Sequence, residues 1–360
     1  MTQDVYKQMF EVMKQRGGPY MGADIPEFYT LVRELFLPEE AEINNALSRK
    51  PAALKDIAGV LKRQENDVFK IIENMADKGL CGVFNTDGIR YYQGLPFMPG
   101  IFEFVFISGS ETEQDKNIAK LIYNYKKTYD AVKGIETVEY PLTRVIPINK
   151  TIDAGNVIHT YQQVVTYIEK YDTIGVGACY CRHAAKLRGE DIHDMPTEVC
   201  MWFGKIAENI VERLGGRRIG KQEALEILER CEKIGLLHMS RNTTEDIDFI
   251  CNCDRWHCEV VGRALKQPKP GLIFNSGLQP VFDPNLCIAC ETCIGRCPSE
   301  ALTLGEDNVP KINMDLCFGC GVCATGCLQE AIAMEPKPDF PIPPKNVKEL
   351  VAALKSSSSN

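Results

Sequence analysis

The chain has no run of apolar residues approaching the ~18 that a membrane span needs, so no spanning helix is expected. It has no Gly-x-Gly-x-x-Gly after a strand and no Gly-x4-Gly-Lys-Ser/Thr run, so neither a dinucleotide nor a nucleotide site is signalled. Gly215-Gly216-Arg217-Arg218-Ile219-Gly220 follows a helical stretch and lacks the required context. Histidine is scarce, at five residues. His159, His193 and His238 belong to no constellation, and no Ser–His–Asp set can be assembled. An excess of basic charge is missing too. Lys and Arg number 41 against 49 Asp and Glu, a net charge of -8, which argues against sequence-wide affinity for nucleic acid or anionic lipid. The opening MTQDVYKQMFEVMK has the plan of neither a signal peptide nor a transit peptide, and it carries no twin arginine. The expected location is therefore a reducing cytosol, where thiols bind metal rather than pair as disulfides.

What the chain does have is 360 residues, 44% hydrophobic and 25% charged, the balance of a soluble globular protein of two or three domains. Residues 1–100 read as mainly helical. Helices are expected at Glu39–Leu47, Ala52–Leu61 and Glu65–Lys78, the third with Val68, Ile71, Ile72 and Met75 at helical spacing. Asp87-Gly88 between two short β-like runs signals a hairpin. Three helices and a hairpin resemble a winged helix. Lys62–Lys78 carries four bases and four acids, so a docking or structural module is favoured over DNA binding.

Residues 101–270 read as α/β. Thr143–Ile148 and Thr173–Cys181 are expected as strands around a helix at Tyr161–Lys170, a short β-α-β unit. Further helices are expected from near Pro196 to Leu214 and over Lys221–Lys233. Gln267-Pro268-Lys269-Pro270-Gly271 marks a joint. Residues 280–335 form the next segment. Residues 336–360 read as a Pro-rich linker, a short helix over Asn346–Leu354 and a disordered serine tail. The fold class is thus α+β and multidomain: a winged-helix-like module, a central α/β metal-binding region and a C-terminal domain expected to hold metal through its cysteines.

Half of the sixteen cysteines carry that last expectation. Cys287-x2-Cys290-x2-Cys293-x3-Cys297-Pro298 and Cys317-x2-Cys320-x2-Cys323-x3-Cys327 repeat one spacing about 30 residues apart. This is the run that holds a pair of [4Fe–4S] clusters, the fourth Cys of each run crossing to the other cluster. One cluster is assigned to Cys287, Cys290, Cys293 and Cys327, the other to Cys317, Cys320, Cys323 and Cys297. Gly319, Gly321 and Gly326 are expected to let N–H groups approach the sulfurs. Ile288, Leu302, Val309, Ile312, Phe318 and Ile332 are expected as the dry shell. The second run ends Cys327-Leu328, without proline. The segment resembles bacterial two-cluster ferredoxins, which implies a C-terminal dicluster ferredoxin fold over residues 280–335. It holds eight acids and two bases, a charge of -6, which suits a redox partner with a basic docking face.

Six further cysteines form a second constellation: Cys179 and Cys181, then Cys200, then Cys251, Cys253 and Cys258. If extended, each Cys-x-Cys pair points two sulfurs one way. Cys200 is expected in the first turn of a helix, which would favour its thiolate. Four of the six, as yet unspecified, would hold a third [4Fe–4S] or other Fe–S cluster, with zinc as the alternative; the one-residue gap is short for a zinc knuckle. His183 and His257 beside these thiols are taken as hydrogen-bonded structural groups, Arg182 as balancing cluster charge, and Cys81 and Cys231 as packing residues. The Cys-x-Cys-Arg and Cys-Asn-Cys runs, with the dicluster run, resemble a group of cytoplasmic 4Fe–4S proteins of anaerobes. In that group the last run is richer in Cys, where Asp254 and His257 stand here. The resemblance implies electron transfer, and the dicluster run points to a partner or subunit of an anaerobic oxidoreductase, with no nucleic acid expected, no membrane span and a possible oligomer; the alternatives are an Fe–S oxidoreductase whose middle-region cluster is catalytic and a redox-sensing DNA-binding regulator.

Overall fold

The computed structural model describes residues 4–135, 137–147 and 161–357. The strand end expected at Ile148, together with His159, Ser358 and Ser359, lies outside the described residues. The chain forms two compact units. The first comprises Met1–Gly134, Gly175–Glu198 and Lys205–Arg218; the second comprises Ile135–Ile174, Val199–Gly204 and Ile219–Asn360. The 101–270 stretch is therefore divided between them.

In the first unit, helices Val5–Arg16 and Pro26–Leu35 precede helices Pro38–Ala46, Leu54–Leu61 and Glu65–Asp77. Proline at the first position of two of these helices costs no hydrogen bond, because that N–H has no partner within a helix. Glu65–Asp77 buries Val68, Ile72, Met75 and Ala76, one stripe at the helical period. The hairpin Cys81–Thr86 and Ile89–Gly94 turns at Asp87-Gly88, and its second strand also pairs with Ala52–Ala53. Arg16, only 3% exposed, donates to the Asn44 side chain and to the carbonyls of Asn44, Leu47 and Leu95. Those acceptors replace the water a buried guanidinium loses. Helix Glu113–Lys133 starts from a Thr112/Asp115 capping box and packs Tyr125 against Phe28, Phe97 and Phe102.

In the second unit, β1 (Thr143–Val145), β2 (Glu198–Phe203), β3 (Leu237–Arg241) and β4 (Phe249–Cys253) lie in the order β1-β3-β4-β2, each pair antiparallel. The helix expected from Pro196 does not begin there. Val199-Cys200-Met201-Trp202-Phe203 is a strand, and a helix starts only at Gly204. A run of β-branched and aromatic residues buried on both faces suits a pleated sheet better than a helix. Helix Lys221–Lys233 packs beside this sheet, with Ala224, Ile227, Leu228 and Cys231 buried.

The same unit contains β5 (Leu278–Phe282), β6 (Leu302–Leu304), β7 (Pro310–Ile312) and β8 (Ile332–Pro336), joined as the antiparallel pairs β5·β8 and β6·β7. The 30-residue repeat appears bond for bond. Asp283 N–H donates to Ala331 O at 2.9 Å and Asn313 N–H to Ala301 O at 2.8 Å, while Cys287 N–H reaches Asp283 O and Cys317 N–H reaches Asn313 O, both at 3.1 Å. The Pro-rich tail docks onto the unit. Lys337 N–H donates to Gly277 O, and the carbonyls of Pro344 and Lys345 accept from Thr244 and Glu245. The last helix, Val347–Ser357, buries Leu350 and takes in two of the serines expected to be disordered.

Candidate metal centre

Both cysteine runs fold as a tight loop followed by a short helical turn. Ala289 and Glu291 in the first run, and Gly319 and Gly321 in the second, adopt φ of 54°, 56°, 63° and 79°. The matching positions share one conformation, but only the second run needs glycine for space. A Cβ on Gly319 would stand 2.2 Å from Leu278 O. The close approach orients backbone donors to sulfur: Gly319 N–H lies 3.4 Å from Cys317 Sγ and Ala301 N–H 3.3 Å from Cys297 Sγ. Gly326 has a different purpose from the one expected. A Cβ there would meet Arg296 Nε at 2.3 Å, so its bareness admits a guanidinium rather than a sulfur.

Two cavities result. One is lined by Cys287, Cys290, Cys293 and Cys327 with Phe282, Pro310 and Ile332. The other is lined by Cys297, Cys317, Cys320 and Cys323 with Phe318, Leu302 and Met334. They differ in depth. Cys290 is exposed and Cys287 and Cys327 are half-buried, whereas Cys297, Cys317 and Cys323 are all buried. Of the expected dry shell, Leu302, Phe318 and Ile332 are buried, but Ile288, which lines the first cavity, is 64% exposed, and Leu328, which follows Cys327 in the chain, is 93% exposed.

The electrostatics follow the same gradient. Burial pushes the Cys317 thiol up to about 11 and those of Cys320 and Cys323 well above the ordinary range. Burial also raises Cys293, while the Thr292 hydroxyl lowers exposed Cys290. Thiols so raised, as at Cys317, Cys320 and Cys323, would hold their protons unless a cationic centre took the protons' place. Among the described residues, no three His, Cys, Asp or Glu side chains converge to hold a single metal ion. Soft donors spaced around a volume, rather than about a point, fit a polynuclear iron–sulfur cluster.

Three supporting residues carry no motif in the sequence. Asn275 Nδ2 donates to Cys317 O at 2.7 Å, and Ser276 Oγ donates to Gly319 O at 2.6 Å. The expected joint at 267–271 thus leads directly into a brace for the second loop; an Asn-Ser-Gly turn signal at 275–277 was the only hint. Arg296 donates to Lys233 O and Glu232 O, both at 3.0 Å, and to Val322 O at 3.2 Å. A cation against the C-terminal carbonyls of a helix is favourably placed, and this one also lies within the field of Cys323 and Cys320.

The six middle cysteines divide between the units. Cys179 caps helix Tyr180–Leu187 and Cys181 lies in its first turn, so this pair is not an extended Cys-x-Cys. The strand before it ends at Ala178. Beside it, Arg182 is fully buried with Nε donating to Pro196 O at 2.9 Å, and His183 Nε2 lies 2.8 Å from Ser110 O. The other four belong to the second unit. Cys200 is in β2, so a helix N-terminus does not act on it. Cys251 and Cys253 are alternate residues of β4, and Cys258 caps helix Glu259–Leu265. The Cys251 thiol interacts with Cys200, Cys253 and Cys258; the Cys200 hydrogen bond, with burial, raises its pKa well above the ordinary value. Between Cys253 and Cys258, Asp254 Oδ1 accepts the N–H groups of Trp256 and His257 at 2.7 and 2.6 Å and so shapes the loop. Cys81 and Cys231 are wholly buried.

No helix among the described residues is long and apolar enough to cross a membrane. No curated protein matches the chain. Residues 279–330 match the family model of a 4Fe-4S dicluster domain, so this part of the chain is an iron–sulfur, ferredoxin-type domain with an electron-transfer role.

Proposed function

We propose that the protein passes single electrons through two [4Fe–4S] clusters to or from an oxidoreductase of an anaerobe's cytoplasm, with a third metal or Fe–S centre in the middle region. The observation that carries this reading is the pair of cavities, each lined by three cysteines of one run and the last cysteine of the other. Cys287, Cys290, Cys293 and Cys327 would hold one cluster, and Cys317, Cys320, Cys323 and Cys297 the other. Bound clusters supply one-electron redox chemistry. The chain's own residues exclude water with Phe318, Leu302 and Met334, aim N–H groups at Cys317 and Cys297, and set Arg296 near the second ring of thiols. The first cavity is the port to the partner, since Cys290 is exposed and Ile288 and Leu328 present apolar surface there. The acidic segment around it suits a basic docking face.

The order of helices, short strand and hairpin in residues 38–94 supports the winged-helix reading as a docking module. On its third helix, Glu73 and Asp77 are engaged by Arg213 and Glu73 also by Arg90, so these two arginines are paired with acids rather than offered to phosphate. Iron and sulfide analysis with low-temperature EPR on anaerobically purified chain tests the proposal. Fewer than about eight iron atoms per fully loaded chain would overturn it.

A further inference from the structure

We infer that Cys200, Cys251, Cys253 and Cys258 hold the third centre as an iron–sulfur cluster, and that this centre neighbours the second C-terminal cavity, not the first. The inference rests on the dicluster reading above and specifies what that reading leaves open.

The four thiols meet because of register. In the β2·β4 ladder, Met201 faces Ile250 and Trp202 faces Phe249. Continuing this antiparallel register by one residue sets Cys200 across from Cys251. One residue further, Asn252 Nδ2 donates to Val199 O at 2.5 Å, which keeps the two strands in step there. Cys253 follows Cys251 by two residues and so shares its face of β4. The Asp254 turn then brings the chain back within five residues to present Cys258. Cys200, Cys253 and Cys258 are buried and Cys251 is half-buried. Four soft thiols in a dry setting are a complete donor set for one cube or one zinc ion. The one-residue gap between Cys251 and Cys253 is short for a zinc knuckle, which favours the cluster. Cys179 and Cys181 belong to the other unit and are not needed to complete the set.

The neighbour is identified by the core. Cys253 and Cys258 are buried in one apolar cluster with Val261, Phe274, Phe318 and Val322, and both Cys251 and Cys320 pack against it. Phe318 and Cys320 also line the second cavity. None of Cys287, Cys290, Cys293 and Cys327 belongs to that apolar cluster. A continuous set of packed side chains thus connects the four middle thiols to the deeper cavity, while the first cavity faces solvent.

The test uses the full chain, reconstituted anaerobically with ferrous iron and sulfide. Wild type is expected to hold about twelve iron atoms, and Cys251→Ser about eight with the EPR signals of the C-terminal pair retained. Cys258→Ser is a second probe that spares the strand, because serine is a favoured helix N-cap; it should give the same loss of about a third. Cys181→Ser should retain about twelve. In reduced wild type, magnetic coupling to the third centre should broaden the signal of one C-terminal cluster, and Cys320→Ser, unlike Cys290→Ser, should abolish that broadened component. A wild-type load of about eight, unchanged in Cys251→Ser, would overturn the inference and leave the dicluster reading standing. About one zinc per chain, lost in Cys251→Ser, would overturn the iron–sulfur assignment. Loss of all iron in both Cys251→Ser and Cys258→Ser would mark these thiols as core packing and overturn it as well. A wild-type load below about eight would instead remove the reading beneath it.

Discussion

Gly319 and Ala289 occupy the same place in the two halves of the repeat, and only one of them has room for a side chain. Gly319→Ala sets a Cβ against the Leu278 carbonyl at a positive φ. Strain of about 1–3 kcal/mol is expected, concentrated in the loop that carries Cys317 and Cys320. The variant should lose about half of the C-terminal iron, and metal analysis beside Ala289→Gly as a neutral control would show it. A second residue-scale effect lies in the first unit. Glu103 accepts Gly100 N–H at 2.7 Å, and burial pushes its carboxyl up to about 7 from an ordinary 4.5. The folded state therefore binds a proton that the unfolded chain releases earlier. Its contribution is fully present below pH 4.5 and lost as pH rises through 7. The loss is about 2 kcal/mol, allowing for the solvent the group reaches. Glu103→Gln should raise stability at pH 8 by that amount and flatten the slope between pH 5 and 8, as read by urea unfolding at the two pH values.

At the scale of elements, the pairs β5·β8 and β6·β7 are two-stranded ribbons of five and three residues a side. Such ribbons are marginal alone in water. Here they enclose thiols rather than a large apolar core, so metal binding supplies much of their stability. Chelation of iron should therefore remove amide-exchange protection from β5 to β8 while sparing helix Glu65–Asp77, which buries its own apolar stripe. Equal protection in holo and apo chain would contradict this. The elements also show where periodicity misled. The helix expected at Pro196 proved to be strand β2, because burial on both faces erases the period-two alternation that distinguishes a strand. The segment Tyr180–Leu187 was the reverse case: a Gly-rich strand signal ran on through Cys181, although the strand stops at Ala178.

At the scale of the whole molecule, the charge of -8, with -6 of it in residues 280–335, sets how a partner approaches. Electron exchange with a basic partner should slow steadily as salt rises from low to physiological ionic strength, since steering acts through the screened field. Stopped-flow rates that do not depend on salt would place the docking face elsewhere. The two four-cysteine halves of the C-terminal site were visible in the sequence because cluster ligation imposes short, fixed spacings on a continuous piece of chain. The helices of residues 38–78 and the Asp87-Gly88 hairpin were visible for a similar reason, since period, prolines and turn residues act locally. The bracing by Asn275, Ser276 and Arg296 was not, because each acts on a carbonyl distant in sequence and leaves no pattern. Nor could spacing choose among the six middle cysteines. Strand register alone brings Cys200 to Cys251, and shared burial alone sets Cys253 and Cys258 in one core with Phe318 and Cys320. Local chemistry therefore determined that this chain binds iron–sulfur clusters, whereas the packing of remote segments, which depends on the whole unit folding at once, decided how deep each thiol lies and which other thiols it meets.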